Sequence, residues 1–223
     1  MLNVTSEEPS GSSDVNGALH LQRGGLHMYK KQIAFQKFVC LLAIFAGAAT
    51  FIYSLGLVTD LYDCLYTTMM NPNNLAETSV EGSIVLYDIQ PFNKTLTGMG
   101  IVLLLLGCAL FLTNTNVRRK YYVGNYVSIG LYCAFGIGLS LWAHFEIEKY
   151  KAQWLQINFE QLKAHSELWK TAYTESTFWF DLHNYIFGAV LVVAALLIIN
   201  LLWKLTLMKA ENKLIAKGKG VEA

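Results

Sequence analysis

Four long apolar blocks, separated by polar stretches, constrain this chain more than anything else in it. They run Phe38 to Val58, Leu96 to Thr113, Val123 to Ala143 and His183 to Leu205, each essentially free of charge until its ends. A helix that crosses a bilayer needs about 20 consecutive apolar residues, because the hydrocarbon layer is about 30 Å thick and each residue advances about 1.5 Å. All four blocks meet that requirement, so the expected fold is all-α, an integral membrane four-helix bundle. Only 15% of the residues are charged, against about a quarter in an average soluble domain, which leaves a water-soluble core without support. The first block follows a polar segment of more than thirty residues and has no small-residue cleavage pattern behind it, so it is expected to be a span and not a removable leader.

The charges then give an orientation. Segments 1–37, 114–122 and 204–223 hold twelve Lys and Arg against five acids, whereas the loops 59–95 and 144–182 hold five against eleven. Lys and Arg accumulate on the cytoplasmic side of membrane proteins. Both termini are therefore expected in the cytoplasm and both longer loops outside, as an even number of spans requires. The expected organisation is a flexible cytoplasmic tail (1–29, with Pro9 and four glycines, Gly11, Gly17, Gly24 and Gly25), a four-span domain (30–208) and a basic cytoplasmic tail (209–223). Lys30, Lys31 and Lys37 would anchor span 1 at the anionic inner surface.

The loop 144–182 contains neither Gly nor Pro and leaves span 3 directly. Ile147, Tyr150, Trp154, Ile157, Gln161, Ala164 and Leu168 recur at three-four spacing, with Glu148, Lys149, Gln156, Glu160 and Lys163 on the other face. The spacing predicts that span 3 continues outside the membrane as a long amphipathic helix to about Tyr173, roughly 75–80 Å from its start at 1.5 Å per residue. Thr174 to Thr177 would then break and re-cap the chain. Such an arm needs a partner for its apolar stripe, and its mixed polar face favours protein over lipid. In the other loop, Ser83 to Tyr87 alternates in the manner of a short strand or lid. Asn93-Lys94-Thr95 has the form of a glycosylation acceptor but abuts span 2, and is read as unmodified.

Small residues recur in the spans: Ala43 and Gly47, Gly100 and Gly107, Gly136 and Ser140, Gly188 with Ala194 and Ala195. They permit close helix approach. Of the cysteines, Cys40, Cys108 and Cys133 fall inside spans and are read as packing residues, which leaves Cys64 without a partner for a loop disulfide. No acid or base occupies the middle of a span and no Pro interrupts one, which speaks against a proton-coupled pump or a broken-helix transporter. Nucleophile elbows, phosphate loops, paired thiols and basic-aromatic surfaces are also missing, so neither catalysis nor nucleic-acid binding is expected, and no cofactor is predicted.

His144 and Glu148 lie one helical turn apart at the outer end of span 3, while Asp181 and His183 open span 4. Antiparallel pairing of the two helices would bring all four together, a donor set of imidazoles and carboxylates suited to a divalent transition metal. The competing expectation is that they are interfacial polar residues bound to water. In layout the chain resembles the four-span proteins with cytosolic ends, such as claudins, tetraspanins and connexin-like channels. It lacks the loop cysteine signatures of those groups, so no residue roles transfer. The expected function is a non-catalytic scaffold or accessory subunit that binds other membrane-protein subunits or further copies of itself. The alternatives are a homo-oligomeric channel with a shared pore and a metal- or cofactor-binding membrane subunit.

Overall fold

The computed structural model describes residues 12–68, 80–116 and 120–219, with side chains placed for 29–57, 80–116 and 120–216. Five helices follow one another: α1 (Ser12–Thr68), α2 (Val85–Asn114), α3 (Val123–Trp154), α4 (Phe159–Trp169) and α5 (Phe178–Lys219). There is no strand among the described residues. α1, α2, α3 and α5 are each long and apolar enough to cross a membrane, and they contain the four blocks seen in the sequence. The fold is thus an all-helical, multi-pass membrane bundle. Each span contacts two others, α1 with α2 and α5, and α3 with α2 and α5, while short α4 lies against α1. The α2–α3 turn and the chain termini mark one end of the bundle, here the terminal end. The segment 80–84 and α4 mark the other, the loop end.

Glycines seal the α1–α2 seam. A Cβ on Gly47 would stand 2.7 Å from Leu104 Cα, and one on Gly107 would stand 3.0 Å from the Ala43 carbonyl oxygen. Only the absence of a side chain lets the two backbones approach so closely, which in a membrane replaces the hydrophobic drive with direct packing. Gly136 does the same more gently toward Val190 on α5, at 3.1 Å. Gly188 meets nothing within 4 Å, and Ala195 is exposed, so these two small residues take no part in the seam expected of them.

The structure differs from the sequence expectation at three places. Span 3 does continue as helix beyond Ala143, but α3 stops at Trp154 and does not reach Tyr173. The stop is tertiary. Trp154 and Ile157 are buried, the Asn158 backbone N–H donates to the Glu81 carbonyl (3.1 Å), and the Asn158 side chain accepts from Gln161 N–H as the N-cap of α4. Gly82 takes a left-handed conformation (φ 80°) and packs so closely that a Cβ there would lie 2.9 Å from the Gln156 carbonyl oxygen. α4 ends at a left-handed Lys170 (φ 53°). The long arm is therefore a 32-residue α3, about 48 Å long, and an 11-residue α4 folded back on the bundle.

Second, Ser83 to Tyr87 is not a strand: Ser83 and Ile84 form a turn and Val85 to Tyr87 open α2. Val85, Leu86, Ile89, Phe92 and Leu96 are buried at helical spacing, which outweighs the local alternation. Asn93, buried within α2, is closed to glycosylation. Third, α1 begins at Ser12, inside the segment expected to be a tail. That stretch holds Val15, Ala18, Leu19, Leu21 and Leu26, and no proline after Pro9, so it propagates the helix of span 1 despite the cost of about 1 kcal/mol for each glycine. The tail's first eleven residues and the side chains of Cys64, His20 and His27 lie outside the described residues. The other cysteines are free thiols.

Candidate metal site at the loop end

α3 rises to the loop end and α5 descends from it, so their facing residues pair in antiparallel order. His144 and Glu148 share a face of α3 one turn apart, and His183 on α5 points between them. His144 Nδ1 stands 2.8 Å from His183 Nε2, and Glu148 Oε1 stands 3.8 Å from the same Nε2. The ligand atoms of all three lie within 4.8 Å of one another. Bonds of 2.0–2.2 Å to a tetrahedral ion would set neighbouring ligand atoms roughly 3.3 Å apart, inside the range spanned here. Closing the set would open the 2.8 Å spacing and shorten the widest by up to about 1.5 Å.

His183 is held for the purpose. It is 0% exposed, and its Nδ1–H donates to the Phe180 carbonyl one turn earlier. That bond fixes the tautomer and leaves the Nε2 lone pair facing His144 and Glu148, which is how outer-shell carbonyls orient metal-binding histidines. Phe187 flanks the imidazole (ring centroids 6.3 Å) and in turn meets Tyr53 edge-on. The site thus has an apolar floor. His144 is exposed and the Glu148 side chain is 43% exposed, so the mouth faces solvent.

Asp181, the fourth residue expected here, turns elsewhere. Two residues before His183 on the same helix, it leaves α5 about 200° away from it, where it bonds Lys151 Nζ (2.5 Å) and accepts from Thr177 Oγ1 (2.7 Å). The structure therefore brings together three of the four sequence candidates and places the fourth in an ion pair beside them.

Sequence reasoning missed a second polar cluster, at the terminal end. Lys204, counted among the flanking bases, is 0% exposed. Its ammonium lies 4.6 Å above the ring of Tyr29, 5.4 Å from that of Tyr121, and 3.3 Å from Gln32 Oε1. Gln32 also donates to Gln36 (2.8 Å) and Asn200 (2.9 Å), and Gln36 donates to the Asn114 carbonyl. Tyr121 O–H donates to Gln36 Oε1 (2.8 Å). This layer ties α1, α2 and α5 to the turn that leads into α3. The signal for it was the pairs Gln32/Gln36 and Asn200/Lys204, each four apart and so on one helix face.

The class defined by these features is a multi-pass helical membrane bundle with a two-histidine, one-carboxylate cluster where α3 meets α5. No family model, curated protein or solved structure matches the chain.

Proposed function

We propose that this chain is a non-catalytic membrane protein that holds one divalent transition-metal ion of the zinc class at its loop end, as an accessory component. The observation that carries this is the convergence of His144, Glu148 and His183, with His183 buried and its tautomer fixed. Two imidazoles and a carboxylate suit borderline divalent ions and leave a fourth position for water or a partner's ligand. α4 is folded back and offers no projecting arm, so the reading rests on the metal cluster. Cobalt titration of the purified protein in nanodiscs is expected to give one equivalent per chain with visible ligand-field bands, displaced by zinc. Binding no greater than that of a His144→Gln/His183→Gln double variant would overturn the proposal.

The charge asymmetry supports a cytoplasmic location for both termini, and thus a site that opens to the outside. Single cysteines introduced at Glu160 and at Lys213, in a chain cleared of native cysteines, are expected to react with an impermeant maleimide from opposite sides of the membrane. Labelling of both from one side would reverse this topology.

A further inference from the structure

We propose that the Lys151–Asp181 ion pair is the positioning element of the metal site, setting the register of α3 against α5 so that His144 and Glu148 meet His183; this rests on the metal-binding proposal above. Three rungs tie the antiparallel helices together: His144 to His183 (2.8 Å), Glu148 to His183 (3.8 Å) and, one step toward the loop end and from another side of α5, Lys151 to Asp181 (2.5 Å). Lys151 follows Glu148 by three residues, so it emerges on the same side of α3. A slide of one helix along the other that broke the last rung would also part the first two.

Asp181 is fixed at both oxygens. Lys151 holds Oδ1 and the Thr177 hydroxyl holds Oδ2, while the Asp181 backbone N–H donates to the Thr177 carbonyl (2.9 Å). The carboxylate sits in the first turn of α5, where the helix dipole favours a negative charge. Its side chain is 48% exposed and that of Lys151 24% exposed, and ion pairs so exposed add little to global stability. Their removal should therefore act on alignment and spare the fold. Neither side chain bonds a ligand directly, so the effect is expected at the lower end of the 10–100-fold that outer-shell partners cause.

The sign of two substitutions separates positioning from charge. If Lys151 acted only by repelling a cation, Lys151→Met would tighten metal binding. If Asp181 were a ligand in waiting, Asp181→Asn would weaken binding and Lys151→Met, by freeing it, would strengthen it. As a register lock, both substitutions weaken binding, and the reversed pair Lys151→Glu/Asp181→Lys restores it.

The experiment uses the full chain in nanodiscs. Cobalt affinity and ligand-field spectra are measured for the parent, the two single variants and the reversed pair. The separation of nitroxide labels at Phe145 and Tyr185, both exposed, is measured by pulsed electron resonance in the same four, in a background without native cysteines. Each single variant is expected to weaken cobalt binding about 10-fold and to broaden the 145–185 distance distribution, with both recovered in the reversed pair. Tighter binding by Lys151→Met, or an unchanged distance distribution in both single variants, would overturn the lock. A parent protein that binds no cobalt defeats the metal-binding proposal, while the label distances still decide whether the ion pair sets the register.

Discussion

Replacing His183 by glutamine is expected to abolish measurable cobalt or zinc binding while leaving the bundle folded. His183 is the hub of the cluster: both of the other donors approach its Nε2, at 2.8 and 3.8 Å, whereas His144 and Glu148 lie on one helix. Removing it leaves two donors on α3 and none from α5. The loss should exceed the roughly 100-fold that removal of an outer-shell partner causes. Glutamine is the informative replacement, since it retains a polar group and much of the volume at a position with 0% exposure. Alanine would add a cavity, and with it a stability loss of about 2–5 kcal/mol that could be mistaken for a metal effect. Isothermal titration with zinc, beside a thermal melt without metal, checks both halves. Retained affinity with His183 gone would place any bound metal elsewhere.

The second large effect is expected at the other end of the bundle, and on an uncharged residue. Gln32→Leu should destabilise the protein by about 2–3 kcal/mol, the cost of leaving buried polar and charged groups without a hydrogen-bond partner. Gln32 accepts from Lys204 and donates to Gln36 and Asn200, so leucine would strip a hydrogen bond from the buried ammonium and leave the Asn200 oxygen without its donor. Lys204→Met should cost less, because it removes the charge together with its desolvation and leaves a stem that packs between Tyr29 and Tyr121. Equilibrium unfolding in mixed micelles, followed by tryptophan fluorescence, would rank the two. The reverse order would mean that the ammonium itself, and not the satisfaction of its surroundings, holds the layer together.

The spans were legible because hydrocarbon imposes a length and an apolarity that few other structures share. The meeting of His144, Glu148 and His183 was legible too, from i, i+4 spacing and the antiparallel order of successive helices. Asp181 was not, because its distance in sequence from His183 is short while its angular distance around α5 is nearly half a turn. The break after Trp154 left no trace in its own segment, which contains no Gly or Pro. Its cause lies some seventy residues earlier, at Glu81 and Gly82. The terminal layer escaped notice for a different reason. Four of its members are neutral amides, and its one cation sits where a helix end would ordinarily reach water.

The docking of Gly82 onto Gln156 and Ile157, with the Asn158 to Glu81 hydrogen bond beside it, makes the two loops of this end a single architectural cap. Epitope tags, fluorescent inserts or protease sites placed in either 80–84 or 155–158 would disturb both, and through them the helix ends that carry the histidines. Reporters belong at the opposite end, beyond Lys213, where the chain can be lengthened without crossing this joint.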